Sequence, residues 1–305
     1  MATTRTFPSN SRARRLRLAN LPTPVLRMGG WVCEQLLQEN VWHQLFAARP
    51  ATQPAGKHLD YVVKVLRTEH HTKQILISSL RREAAIGSRL HGPHLVPIVN
   101  AQLSKPPYFL VYPKLPGTTL SRRLKNGHPI STTTALWIVR QSCDALQTLH
   151  QAGWLHGDVK PDNIVVSPSG HVTLLDMGAA EPIDGQSHLI DTPFLGTLRY
   201  TAPERIFSRF AHQVQSDLYS IGVVLFECLT GTVPFDGSSP GDVIDAHRRK
   251  PPPDLRRLMP SLSQGVSTLV HHLLAKDPAR RPHSVNDVVR TLVALEIETL
   301  RDHAA

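Results

Sequence analysis

The chain has 305 residues, 41% of them hydrophobic, and a formal net charge of +10 at pH 7. That length holds one large or two smaller domains, and that apolar content excludes a mainly disordered chain. The longest apolar run, Ile221 to Phe226, is stopped by Glu227, so no membrane span is expected.

Residues 1–30 carry much of the basic excess and read as an irregular arm, broken by Pro8, Pro22, Pro24, Gly29 and Gly30. The arm lacks the apolar core of a secretory signal. It reads first as a solvated segment, with an acidic-partner or nucleic-acid contact and an Arg- and Ser-rich transit peptide as rival readings. Trp31 to Ala48 is expected to form two strands, followed by a loop over Arg49 to Lys57. Tyr61–Leu66 is short and β-branched, the pattern of a strand. Gln74 to Leu90 has helical spacing in Ile75, Leu80, Ala84, Gly87 and Leu90. Further strands are expected over Leu95–Asn100 and Tyr108–Tyr112.

After Gly117 the pattern turns helical. Thr132–Gln151 lines up Leu136, Val139, Cys143, Leu146 and Leu149 on one stripe. Ile164–Val166 and His171–Leu175 read as two short strands around a Ser-Pro-Ser-Gly turn, followed by a loop-rich stretch from Ala179 to about Ala202. An apolar helix over Ser216–Thr230 ends at Gly231, and more helices follow. Strands followed by helices predict an α+β fold with a link near Pro113–Gly117. The cysteines Cys33, Cys143 and Cys228 are far apart and form no CxxC pair, so a reduced, cytoplasmic setting is expected. No motif specifies an oligomeric state.

The chemistry concentrates in two strings. His156-Gly157-Asp158-Val159-Lys160-Pro161-Asp162-Asn163 places a candidate base, a lysine and an amide oxygen together. Asp176-Met177-Gly178 follows and adds a hard carboxylate oxygen, which suits Mg²⁺. An isolated Asp or Asn most often caps a turn; here the side chains arrive as a set.

These strings resemble the catalytic loop and metal-binding loop of protein kinases, and Lys160 resembles the Ser/Thr branch of that family. The resemblance covers about residues 31–298 and is nearest to bacterial-type, eukaryotic-like Ser/Thr kinases. It implies a bilobal fold: a sheet-rich N-lobe at about 31–112, a hinge at about 113–117, a helical C-lobe at about 118–298 and a tail over 299–305. It implies ATP and Mg²⁺ as donor and metal, and proteins with Ser or Thr acceptors as substrates. Asp158 would be the base and Lys160 would reach the γ-phosphate. Asn163 and Asp176 would hold the metal, and Lys64 would hold the α and β phosphates. Glu83 would pair with Lys64, with Glu69 as a rival partner. Tyr112 or Pro113 carbonyls and the N–H of Leu115 would meet adenine, and Tyr112 would guard the back of the pocket. Gly196 to Glu204 resembles the end of an activation segment. Thr197 would sit near Asp158 and Lys160, Glu204 would pair with Arg281, and Asp217 would brace the catalytic loop.

Three departures stand out. Gln38, Asn40 and His43 occupy positions where the family's phosphate-covering loop has glycines. Gly157 replaces the arginine that reads a phosphate on the activation segment, which predicts little dependence on Ser187 or Thr192 modification. Met177 replaces an aromatic residue. An active protein kinase, a kinase-fold scaffold and a small-molecule kinase of similar fold are the three readings, and the Gly196–Glu204 platform argues against the last.

Overall fold

Short β-branched runs form the first layer. In this computed structural model, residues 26–55, 58–125, 127–183, 197–207 and 213–302 are described. The arm up to Val25, Ser187, Thr192 and Gly196, and the tail from His303 lie outside them. Strands β1 (Leu26–Met28), β2 (Trp31–Glu39), β3 (His43–Pro50), β4 (Tyr61–Leu66), β5 (Asn100–Gln102) and β6 (Phe109–Pro113) form an antiparallel sheet in the order β1-β2-β3-β4-β6-β5. Leu26–Met28 thus pairs with Trp31–Cys33, although it falls in the segment expected to be irregular. A small core of Met28, Cys33, Phe46, Ala48, Val63, Val65, Phe109 and Val111 lies on one face of the sheet.

The β2–β3 hairpin turns without glycine. Asn40 Oδ1 accepts from the amides of Trp42 at 2.8 Å and His43 at 2.7 Å, and its own N–H donates to His43 O. A side-chain turn of this kind replaces the left-handed backbone that a glycine would supply. Bulges between Cys33 and Gln35 and between Leu36 and Gln38 kink the strand that leads into it. Of Leu95–Asn100, expected as one strand, only Asn100 lies in a strand, at the start of β5, and Leu95 makes an isolated parallel bridge to Leu174. Pro97 interrupts the run, and Val96 and His94 instead exchange backbone bonds with Leu174.

Helix α1 (Gln74–Gly87) crosses the sheet and buries Leu76, Ile77, Leu80, Glu83 and Ile86. Beyond the link come β7 (Thr118–Thr119), α2 (Leu120–Arg123), α3 (Thr132–Gln151), β8 (Trp154–Leu155), β9 (Ile164–Val166), β10 (Val172–Leu174) and β11 (Glu181–Pro182). The rest is helical: α4 (Pro203–Phe207), α5 (Val214–Thr230), α6 (Pro240–Arg249), α7 (Leu255–Leu258), α8 (Gln264–Leu273) and α9 (Val285–Asp302). The order of strands then helices is α+β, as the pattern predicted. Ser131 caps α3 by accepting from Thr134 N, which fixes the start the periodicity implied. Helix α5 is buried almost all round, from Ser216 to Leu229, and forms the axis of the helical part. No described helix is long and apolar enough to cross a membrane. All three cysteines are buried thiols.

A guanidinium ties the helical part together. Arg281 donates to both Glu204 carboxylate oxygens, at 2.7 and 2.9 Å, and to the carbonyls of Gln215, Ala275 and Lys276. Its side chain is fully buried, so removing it strands the Glu204 carboxylate. Arg281→Met is expected to cost about 3–5 kcal/mol, the range for breaking a buried pair from one side. Urea unfolding should show a lower midpoint at unchanged slope. The double variant Glu204→Leu/Arg281→Met should be less destabilised than Arg281→Met alone.

Candidate active site

A lysine on a strand and a glutamate on a helix can meet only if the helix lies against the sheet. Lys64, on β4, points under the sheet and donates to Glu83 Oε2 at 2.8 Å and to Asp176 Oδ1 at 2.9 Å. Glu83 is on the apolar face of α1 and is almost wholly buried. A lone carboxylate there would be costly, and the ammonium beside it offsets that cost. Glu69, the rival partner, instead pairs at the surface with Arg67. Tyr112 donates its hydroxyl to Glu83 Oε1 at 2.6 Å, so both carboxylate oxygens are held.

Asp176 is the only non-glycine among the described residues with a positive φ, at 61°. Short polar side chains tolerate that region. Its Oδ1 accepts from Gly178 N as well as from Lys64. Burial pushes its pKa up, but the Lys64 charge and hydrogen bond outweigh this and hold the carboxyl well below the usual range. Helix α1 fixes the turn: Ser79 Oγ donates to Gly178 O at 2.8 Å, and Arg82 donates to the carbonyls of Gly178 and Ala180. A Cβ on Gly178 would lie 2.6 Å from Ser79 Oγ, so a side chain there would push the Ser79 hydroxyl out of its place.

The loop from His156 to Asn163 is built around Asp158. Lys160 Nζ donates to Asp158 Oδ2 at 2.6 Å and to Thr197 Oγ1 at 2.8 Å. Thr197 N donates to Asp158 Oδ1, and Asn163 Nδ2 donates to Asp158 O at 2.8 Å. Burial raises the Asp158 pKa, and Lys160 opposes the rise. Beneath the loop, Asp217 at the start of α5 accepts from the backbone of His156 and Gly157 and from His150 Nε2. The neighbours expected for Thr197, Glu204 and Asp217 are all in place.

The link between the sheet and the helices follows from strand phase. Leu66 N–H bonds Tyr108 O and Lys114 N–H bonds Asp60 O. In an antiparallel ladder the intervening Tyr112–Val62 pair is then also of the bonded kind. The Tyr112 carbonyl is therefore spent in the sheet, and its side chain lies behind the Lys64–Glu83 pair. The Pro113 carbonyl points off the strand, and Leu115 follows it. Of the two carbonyls considered for adenine, Pro113 is the one left facing outward.

Sequence reasoning did not find three contributors, Ser79, Arg82 and Arg205, and met His43 only as a replacement for a loop glycine. No local motif marks the first three, whose contacts span distant parts of the chain. The His43 ring is half-buried near Lys64 and Asp176, and its buried Nε2 has no partner among the described residues. Burial, then the Lys64 charge, lower its pKa to about 3, so it is neutral at pH 7.

The donor set fits a hard cation. Asn163 Nδ2 is committed to Asp158, which turns its carbonyl oxygen the other way. Asp176 uses Oδ1 within the protein, and its side chain is 42% exposed. Two oxygen donors, one of them open to solvent, suit an ion completed by phosphates and water rather than by an all-protein cage. Among the described residues no group of three or more His, Cys, Asp and Glu is arranged to hold a metal.

Comparison with known proteins agrees with this geometry. The protein kinase domain family matches residues 53–292. Serine/threonine-protein kinase PrkC of Bacillus subtilis is 31% identical over 75% of this chain and 35% of its own length. Serine/threonine-protein kinase PknH of Mycobacterium tuberculosis is 31% identical over 82% of this chain and 40% of its own. Serine/threonine-protein kinase PknD of the same organism is 32% identical over 76% and 35%. The chain thus spans between a third and two fifths of the length of these relatives. With the family match extending over most of its residues, the chain belongs to the protein kinase domain family.

Proposed function

We propose that this chain is a Ser/Thr protein kinase that moves the γ-phosphoryl group of Mg-ATP to Ser or Thr hydroxyls of proteins. The observation that carries this reading is the Asp158–Lys160–Thr197 network, formed beside an intact Lys64–Glu83–Asp176 set. The kinase domain is read as about residues 31–298, with the hinge at about 113–117.

Phosphoryl transfer needs positioning and charge more than covalent participation by the protein. Asp158 would accept the substrate hydroxyl proton as the new O–P bond forms and the bond to the departing ADP breaks. Lys160 would offset charge on the moving group, and Thr197 would seat the acceptor residue. Lys64 would hold the α and β phosphates, with Glu83 fixing its direction. Asn163 and Asp176 would hold Mg²⁺, which supplies charge neutralisation on the phosphates when bound. Adenine would meet the Pro113 carbonyl and the Leu115 N–H.

A second reading, a kinase-fold scaffold with weak catalysis, draws on the hairpin of β2 and β3. Gln38, Asn40 and His43 stand where the family's loop has glycines, and the Asn40 side chain takes up the amides of Trp42 and His43 that would otherwise be free for phosphates. Transfer of labelled γ-phosphate to the protein itself and to a generic basic protein separates the two. Wild type should transfer, Asp158→Ala should lose at least ~10²-fold, the usual scale for a removed acid–base group, and Asp176→Ala should also lose transfer because it removes a metal-holding oxygen. Label absent in wild type and in both variants would leave only the scaffold.

The raised Asp158 pKa gives a pH prediction. Only the ionised carboxylate accepts a proton, so kcat/KM should fall as pH drops through that pKa. The midpoint should lie above the ordinary Asp value of about 3.9. Lys160 holds the pKa down, so Lys160→Met should move the midpoint upward, besides slowing the reaction. A midpoint that stays in place in this variant would remove Asp158 as the titrating base.

With Gly157 in place of the phosphate-reading arginine, the reading includes weak dependence on activation-segment phosphorylation. Alanine or aspartate at Ser187 and Thr192 should change kcat/KM by less than ~10-fold, equivalent to about 1.4 kcal/mol of barrier. Larger effects in a steady-state assay would count against it.

A further inference from the structure

Gly157 leaves a hole in the family pattern, and the structure fills it from another element. Gly157 has φ +78°, and a Cβ there would lie 2.5 Å from Ala179 O and 2.8 Å from Arg205 Nη1. The space beside the catalytic loop is already taken by the Arg205 guanidinium. Arg205 Nη1 donates to Gly157 O at 2.8 Å, and Nη2 reaches Glu181 Oε1 at 3.4 Å. Gly157 O belongs to the peptide whose nitrogen is Asp158 N. A donor on that carbonyl therefore sets the tilt of the peptide that carries the base. Glu181 lies in β11, which pairs with Leu155 in β8 just before the loop. The same guanidinium therefore touches the catalytic loop and the beginning of the activation segment.

We propose that Arg205 is a positioning residue that clamps the catalytic loop to the start of the activation segment, using Glu181 as a permanent anion where an arginine at position 157 would need a phosphate. Its backbone is fixed by the neighbouring Glu204–Arg281 pair. Its side chain is only 9% exposed, and that of Glu181 17%. Burial disfavours the guanidinium charge, while Asp217, Asp158 and Glu204 favour it. Its Nε–H has no partner among the described residues. A buried cation with a donor left over is a poor device for stability alone. It is well suited to holding two segments at a fixed separation, since the planar fork has rigid donor directions.

The catalytic half of this inference rests on the kinase reading; the clamp itself does not. The test therefore has two readouts on the full chain. Hydrogen exchange would follow peptides covering 155–158 and 178–182, and steady-state kinetics would follow kcat and the KM for ATP. The variants are Arg205→Met, Arg205→Lys, Glu181→Gln and the double Arg205→Met/Glu181→Gln. Arg205→Met should speed exchange in both stretches while leaving α3 unchanged. It should lower kcat by ~10-fold or more with the KM for ATP within ~2-fold, the pattern of a lost transition-state contribution. Glu181→Gln should act in the same direction, the double variant should be no worse than Arg205→Met, and Arg205→Lys should recover part of kcat. If Arg205→Met does not fold, Glu181→Gln and Arg205→Lys carry the same comparison. Unchanged exchange over 155–158 would overturn the clamp. Faster exchange with kcat unchanged would overturn the positioning role. Absence of transfer in wild type would remove the kinase reading and the positioning role together, while the exchange data would still decide the clamp.

Discussion

The site hangs from one buried carboxylate. Asp217 is 1% exposed, lies at the start of the most enclosed helix, and accepts from His156 N, Gly157 N and His150 Nε2. Burial alone would neutralise it, yet the His150 hydrogen bond and nearby partners outweigh burial and bring its pKa down to about 2. The charge is therefore kept in the core and used to hold two consecutive backbone amides. Those amides immediately precede Asp158. His156 adds a second brace from the other side, through its ring to Leu175 O, one residue before Asp176. The loop that carries Asp158 and the loop that carries Asp176 are thereby referenced to the same rigid axis, so their spacing does not depend on either loop's own stiffness.

Within that frame, two nearby aspartates are pushed in opposite directions. Asp176 contacts Lys64 directly and its pKa is driven down; Asp158 is desolvated, is only partly compensated by Lys160, and rises. Environments that separate the pKa values of paired groups separate their roles. A permanently ionised oxygen suits a metal, and a carboxylate with higher proton affinity suits a base. Both behaviours come from lysine placement: Lys64 is held against Asp176 by Glu83 and Tyr112, while Lys160 divides its donors between Asp158 and Thr197.

Legibility in the sequence followed the range of the interaction. Asp158, Lys160 and Asn163 were legible because they share a single turn of chain, where order and spacing nearly determine geometry. The extent of α3 was legible because five apolar residues keep one helical stripe along it, and the structure then adds Ser131 as its cap. Lys64 was legible with Glu83 only once the order of strand and helix was recognised, and Glu69 stayed open because helix phase alone does not exclude a surface alternative. The strand expected over Leu95–Asn100 failed because Pro97 and the pull of Leu174 outweighed β-propensity. Ser79, Arg82 and Arg205 carry no local signature at all. Their partners are carbonyls far along the chain, and arginine and serine are ordinary residues on any helix surface.

Those silent residues show how the activation segment is handled. Its beginning is held by Ser79 and Arg82 from α1, and by Arg205 through Glu181. Its end is held by Lys160 on Thr197, by Tyr200 donating to Glu227 and by Arg281 on Glu204. Helix α1 thus grips both the Lys64 partner Glu83 and the turn after Asp176. A displacement of α1 would break Lys64–Glu83 and release Gly178 together, because both contacts sit on one rigid element. Position of α1 and order at the start of the segment are therefore one variable rather than two. With glycine at 157, just before Asp158, that coupling runs through backbone carbonyls and the Glu181 carboxylate.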